Sequence, residues 1–140
     1  MKTVFSGIQP TGKVHLGNLL GAINNWVSLS NQESKNYFCV VDLHSLTTHP
    51  DPSKMQENIQ ETIKVLVSSG INQKNSKIYI QSNVPEHVQL SWILSNFCQI
   101  GELQRMTQFK EKSDQLGSHA GILTYPILMA ADILIHKANE

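Results

Sequence analysis

Three short apolar runs, each followed by a helical pattern, constrain the fold of this chain most strongly. The runs span residues 4–8, 37–41 and 78–80. The middle run has no polar interruption, which is typical of a strand buried on both faces of a parallel sheet. Right-handed crossovers through the intervening helices would place the strands in the spatial order 3-2-1. The pattern therefore predicts an α/β fold with a parallel sheet.

This alternation is that of a Rossmann-like half, with helices flanking the sheet. Asp51 and Pro52 are good N-cap and first-turn residues, and Gly70 suits a left-handed cap after the second helix. No strand pattern follows Gly101. We therefore expect residues 1–101 to form the sheet half and residues 102–140 to form a helical insertion. The expected details are inward Leu90, Ile93, Leu94 and Phe97, a helix at 102–112, a loop at 114–118 and a helix at 119–136 bent by Pro126.

Composition narrows the classes of function. Hydrophobic residues make up 40% of the chain, and 11 Lys and Arg balance 11 Asp and Glu. No cationic run is present, so this segment is not expected to hold a nucleic acid alone. The isolated Cys39 and Cys98 predict buried free thiols in a reducing cytoplasm and no zinc or other metal site. No stretch has the length of a membrane span or the character of a leader, so we expect a cytoplasmic protein.

The first strand runs through a turn into a helix, and this unit has the geometry of a nucleotide site. Residues 9–12, Gln-Pro-Thr-Gly, predict the turn. His15, Gly17 and Asn18 fall in the first turn of the helix, where free N–H groups and the helix dipole favour phosphate. The spacing matches neither a dinucleotide fingerprint nor a P-loop. Since such glycines also serve tight packing alone, spacing leaves phosphate binding and a purely structural role open.

The residues of this unit carry a family resemblance. Residues 9–12 followed by His-Leu-Gly-Asn at 15–18 resemble the first signature of class I aminoacyl-tRNA synthetases. Residues 5–10, where this signature begins, and Asn18, its last residue, are similar to the tryptophanyl branch of bacterial type. Further similar blocks occur, in order, at 40–44, 101–112 and 123–134. The resemblance implies a Rossmann-like (HUP-type) fold and activation of L-tryptophan by ATP.

The resemblance also implies roles for the residues around the nucleotide. His15 and Asn18 would stabilise charge on the ATP phosphates, with Mg²⁺ accompanying ATP, and Gly17 would permit close approach of the nucleotide. Lys112 would assist from the insertion, although a solvated helix face explains this lysine equally well. Gln9, Pro10 and Thr11 would line the nucleotide site.

Asp132 stands alone in an apolar stretch, and a buried carboxylate needs a hydrogen-bond donor. The resemblance supplies one, because an indole N–H only donates and must find an acceptor when it is enclosed. The alternatives are a partner on the protein, such as Lys137 or a backbone amide, or simple solvent exposure. The resemblance implies that the rest of the amino-acid pocket consists of Phe5, Gly7, Gln9, Val41, His44, Tyr125, Met129 and Ile133.

The second signature of such synthetases, a Lys-Met-Ser-Lys-Ser type of loop, has no counterpart in this sequence. We therefore expect an N-terminal portion truncated before the second Rossmann half, with weak or no adenylate formation alone and with tRNA(Trp) as a partner of the intact enzyme. The first strand would be left with an open edge, which favours pairing with another chain, and the branch resembled here forms homodimers. A tyrosyl relative and a non-catalytic nucleotide-binding or dimerisation module remain as alternatives.

Overall fold

The sheet is built from three parallel strands. The computed structural model describes residues 1–12 and 19–140. Strand β1 spans Lys2–Ile8, β2 spans Ser34–Val40 and β3 spans Ser76–Ile80. Their spatial order is β1-β2-β3, with Gly7 opposite Cys39 on the neighbouring strand. The predicted class, parallel pairing and 3-2-1 order are confirmed.

Helices connect and flank the strands. A π-helical turn at Leu19–Ile23 leads into helix α1, Asn24–Ser30, and short 3₁₀ turns lie at Leu46–Thr48 and Gln81–Asn83. The other helices are α2 (Asp42–Ser45), α3 (Pro52–Ser68), α4 (Glu86–Ser95), α5 (Ile100–Arg105), α6 (Thr107–Leu116) and α7 (Ala120–Ile135).

The main core lies where α1 and α3 pack on β2. Phe38 is fully buried and stacks on Trp26, with ring centroids 4.5 Å apart. Because β2 is the central strand, Cys39 and Val40 are also fully buried. Burial of these side chains removes apolar surface from water on both sides of the strand. This accounts for the uninterrupted apolar sequence of β2.

Helix α3 begins and ends as its sequence predicts. The Asp51 carboxylate accepts a hydrogen bond from the backbone N–H of Ser53 at 2.9 Å, and Pro52 occupies the first helical position. Gly70 follows the helix with φ +88°, in the left-handed region that glycine adopts without steric cost.

Replacing Gly70 with Ala is expected to lower the free energy of unfolding by about 1 kcal/mol, because a Cβ is disfavoured at this φ. Chemical denaturation measures the change. Gly101→Ala is the matched control, since Gly101 lies within α5 and has no positive φ. The control should be neutral or slightly stabilising. An equal loss in both variants would contradict this explanation.

Several predicted details of the helical part are wrong. Ile93 and Phe97 are 55% and 81% exposed rather than inward, because α4 packs on α7 through a face without Ile93 and ends at Ser95, before Phe97. The predicted loop at 114–118 is helical through Leu116, which ends α6. Cys98 is exposed, whereas Cys39 is buried as predicted.

Burial raises the pKa of the Cys39 thiol to about 12, so this thiol stays protonated.

The outer edge of β1 is partly covered, contrary to the expected open edge. The Phe5 N–H donates to the Glu140 carbonyl at 3.2 Å, and the Glu140 N–H donates to the Thr3 carbonyl at 3.3 Å. These two bonds have the pattern of a parallel bridge between residues 4 and 140. Lys2 also forms an ion pair with the Glu140 carboxylate. The edge is therefore paired at one position by the chain's own last residues.

Candidate active site

A cavity of about 600 Å³ opens between the last part of β1, the residues that follow β2, and helix α7. Ligands of open α/β sheets bind at the carboxyl ends of the strands, and this cavity has that position. It is lined by Phe5, Ser6, Gly7, Gln9, Val41, His44, Glu111, Tyr125, Met129, Asp132 and Ile133. Every residue predicted for the amino-acid pocket is present, and Ser6 and Glu111 are additional.

Gly7 of β1 and Val41, the residue after β2, pack closely together in the lining of the cavity. A Cβ placed on Gly7 would lie 2.7 Å from Val41 Cγ1, nearer than real contacts allow. Val41 is buried directly after β2, and its backbone N–H donates to the Ile8 carbonyl at 2.9 Å. The Val41 side chain is therefore the group that leaves no room for a Cβ at position 7.

Asp132 is the polar centre of the cavity wall. This residue is 1% exposed, yet its carboxylate accepts hydrogen bonds from three side chains. His44 Nε2–H donates to Oδ2 at 2.8 Å, and His87 Nδ1–H donates to Oδ1 at 2.7 Å. Gln81 Nε2 lies 2.9 Å from both oxygens. The need for donors was predicted correctly, but they are these side chains rather than Lys137 or a backbone amide.

These donors determine the ionisation of Asp132. Burial opposes the charged carboxylate, but the hydrogen bonds from His44, His87 and Gln81 outweigh it and hold the pKa of Asp132 below its ordinary value. The cavity therefore presents an ionised, acceptor-only group among apolar side chains. Burial also raises the pKa of Tyr125, whose ring meets His44 edge-on at 6.2 Å.

The sequence matches the family described as tRNA synthetases class I (W and Y) over residues 1–139. The chain belongs to this class I synthetase family. Curated relatives include the tryptophan–tRNA ligases of Clostridium tetani and Helicobacter pylori. The first is 45% identical over 140 residues, 99% of this chain and 41% of the relative. The second is 48% identical over 140 residues, 99% of this chain and 43% of the relative.

Solved synthetase structures agree with the fold. Tryptophanyl-tRNA synthetase from Mycoplasma pneumoniae is 37% identical, with a TM-score of 0.89 over 99% of this chain and 41% of that one. The enzyme from Campylobacter jejuni, complexed with ADP and tryptophan, is 35% identical, with a TM-score of 0.86 over 95% of this chain and 41% of that one. The chain thus spans about two fifths of the length of these synthetases.

The residues predicted to bind nucleotide are only partly described. His15, Gly17 and Asn18 lie outside the described residues, as does the side chain of Lys112. Gln9 lines the cavity, while Pro10 is buried and Thr11 is exposed beside it. The Thr11 N–H donates to the Gln9 carbonyl at 3.0 Å, and Gly12 has φ +115°, so the predicted turn is present.

Besides Ser6 and Glu111, the sequence interpretation missed two of the three donors to Asp132. Gln81 directly follows β3, just as His44 follows β2 after a short interval. That position at a strand's carboxyl end was the available signal for Gln81. His87 lies inside α4 and no sequence spacing links it to Asp132, so only the packing of α4 on α7 reveals the contact.

Among residues 1–12 and 19–140, none of the helices combines the length and apolarity that crossing a membrane requires.

Proposed function

We propose that this chain carries the tryptophan-binding part of a tryptophan–tRNA ligase. The single observation that supports this most is the ionised Asp132 in the wall of a largely apolar cavity. An enclosed indole N–H needs an acceptor, and a carboxylate is the strongest one a side chain offers. The Campylobacter neighbour, which is complexed with ADP and tryptophan, supports the same assignment.

The indole ring would lie against Phe5, Val41, Met129 and Ile133. Met129 and Ile133 are 37% and 39% exposed on the cavity side of α7, so a ring covering them would bury apolar surface. The ring N–H would donate to Asp132 Oδ2, where His44 donates now. His44 lines the cavity, and it would either give up its hydrogen bond to Oδ2 or share that oxygen with the indole. Tyr125 and Gln9 would serve the amino-acid end of the ligand.

The chemistry would be attack of the tryptophan carboxylate on the α-phosphorus of ATP, which forms tryptophanyl-adenylate and releases pyrophosphate. Transfer of tryptophan to the 3′ end of tRNA(Trp) would follow. His15, Asn18 and Lys112 would stabilise phosphate charge, Gln9, Pro10, Thr11 and Gly17 would border the nucleotide, and Mg²⁺ would accompany ATP. No side chain needs to act as a nucleophile, because the substrate carboxylate attacks.

Residues 1–101 would supply the first half of the catalytic domain and residues 102–140 the connecting insertion. Residues matching the second signature would have to come from elsewhere, so this chain alone would form adenylate weakly or not at all.

We propose a cytoplasmic homodimer. Its support is an apolar face of α4 and the segment after it, where Trp92, Phe97 and Ile100 are 72%, 81% and 63% exposed. A sedimentation experiment that finds only monomer at micromolar concentration would contradict the dimer.

Thermal denaturation with L-tryptophan and, separately, L-tyrosine tests the proposed binding. Tryptophan at a hundred times its dissociation constant should stabilise the fold by about 2.7 kcal/mol. Tyrosine at the same concentration should have little effect. A larger effect of tyrosine would favour a tyrosyl enzyme, and stabilisation by ATP alone would favour a nucleotide-binding module.

A further inference from the structure

A line of hydrogen-bonded rings runs away from the cavity behind Asp132. His87 is fully buried and its Nδ1 contacts Asp132 Oδ1 at 2.7 Å, while its Nε2 lies 3.1 Å from the Tyr79 hydroxyl. That hydroxyl lies 2.6 Å from His136 Nε2. None of these three rings borders the cavity, whereas Asp132 and His44 do.

For a neutral His87 imidazole, the direction of every hydrogen bond in this line follows from the Asp132 carboxylate. An ionised carboxylate can only accept, so His87 must carry its proton on Nδ1. His87 Nε2 is then an acceptor and receives the Tyr79 O–H. The Tyr79 oxygen is left to accept, so His136 must donate from Nε2. One tautomer of each imidazole satisfies the whole line.

The surroundings keep Tyr79 and His136 uncharged. Burial raises the pKa of Tyr79 well above its ordinary value, and the Cys39 thiol, which also contacts Tyr79, stays protonated. Burial, followed by the nearby His87, lowers the pKa of His136. Tyr79 and Cys39 therefore stay protonated and His136 is held in its neutral form, so none of these three groups competes with the charge on Asp132.

The far end of the line reaches back to the cavity wall. The His136 ring stacks on both Phe5 and Tyr37, with ring centroids 5.6 Å and 4.2 Å away. Phe5 itself lines the cavity. The line therefore connects the acceptor of the cavity to one of its aromatic walls, from behind.

We infer that His87 is a positioning residue for Asp132, with Tyr79 and His136 completing the hydrogen bonds on its far side. His87 anchors Oδ1 from behind, so Oδ2 is directed at the cavity, where His44 is an exchangeable donor. The functional consequence for tryptophan rests on the proposed function. The tautomers and the anchoring of Asp132 can be measured without any ligand.

The test uses two amide replacements of His87 in the full chain. In Asn the side-chain nitrogen falls near the position of Nδ1 and can donate to Asp132, whereas in Gln it falls near Nε2 and cannot. His87→Asn should keep the tryptophan affinity within about threefold, and His87→Gln should weaken it by about tenfold or more. Thermal denaturation verifies that both variants are folded, and Tyr79→Phe, which keeps the Nδ1–H donor, should resemble His87→Asn.

Nuclear magnetic resonance supplies readouts that do not depend on tryptophan. Nitrogen-15 spectra at neutral pH should show His87 protonated on Nδ1 and His44 on Nε2. A carbon-13 titration should show a higher pKa for Asp132 in His87→Gln than in His87→Asn. A His87 proton on Nε2, or equal behaviour of the two amide variants, would overturn the assignment. If the tautomers are as stated and the wild type does not bind tryptophan, the proposed function fails while the anchoring of Asp132 by His87 holds.

Discussion

Asp132→Asn is expected to weaken tryptophan binding by on the order of a hundredfold, the largest functional effect of any substitution considered for this protein. The carboxylate accepts from His44, Gln81 and His87, and all of these partners donate. An Asn offers one acceptor oxygen and turns an N–H₂ group toward one of those donors. An unpaired buried polar group costs about 1–3 kcal/mol, so the stability of the fold should fall by a similar amount. Titration calorimetry and chemical denaturation measure the two effects.

Asp42→Asn is the matched control for this experiment. Asp42 is 8% exposed, and its Oδ1 accepts from the Ser82 N–H at 3.0 Å, a bond that an Asn oxygen can retain. Asp42 does not border the cavity, so the tryptophan affinity of this variant should stay near that of the wild type. Similar losses of affinity in the two variants would mean that Asp132 acts through stability alone.

The same carboxylate predicts a dependence of stability on pH. The pKa of Asp132 is lowered in the folded chain, so the unfolded chain takes up a proton first as the pH falls. The stabilisation is therefore complete above about pH 4, the ordinary range of an aspartate, and is lost as the pH falls through the folded pKa. Asp132→Asn should flatten this part of the profile, as measured by denaturation at each pH.

Gly7→Ala is expected to damage both the fold and the cavity. The added methyl group would lie 2.7 Å from Val41 Cγ1 and would force the Val41 side chain or strand β1 to move. A β-branched side chain has few rotamers with which to yield, and overpacking of this kind costs about 1–3 kcal/mol. Gly7 and Val41 both line the cavity, so tryptophan affinity should fall by about tenfold or more.

Val41→Ala in the same chain tests whether the clash is the cause. The shorter side chain removes both Cγ atoms that the new methyl group would meet. The double variant should therefore be more stable than the sum of the two single changes predicts, by about 0.5–3 kcal/mol. Strict additivity of the two free-energy changes would show that Gly7 is required for another reason, such as backbone conformation.

Local sequence was sufficient for the elements that depend on local chemistry. The apolar run of β2, the Asp51 cap and the left-handed Gly70 were each predicted, because strand burial, helix capping and positive φ are properties of a few adjacent residues. The residues of the amino-acid pocket also came from the sequence, but they came through family resemblance rather than through spacing.

Helix faces in the second half could not be predicted in this way. Ile93 and Phe97 recur at helical spacing, yet both are exposed. Helix α4 contacts α7 with a side other than that of Ile93, and Phe97 lies beyond the end of this helix at Ser95. Periodicity states that a helix has an apolar face, and it does not state whether this chain or another covers that face. The wrong prediction for Cys98 has a similar origin, since an isolated thiol carries no periodic signal of its burial.

What the sequence by itself determined is the order of strands and helices, their caps and the presence of one acid in an apolar helix. Only the tertiary structure decided which groups satisfy that acid. His44, Gln81 and His87 are separated from Asp132 by 88, 51 and 45 positions, and they meet it because the ends of β2 and β3 and the start of α4 converge on α7. Hydrogen bonds act over about 3 Å, so their partners are set by the packing of distant segments and not by distance along the chain.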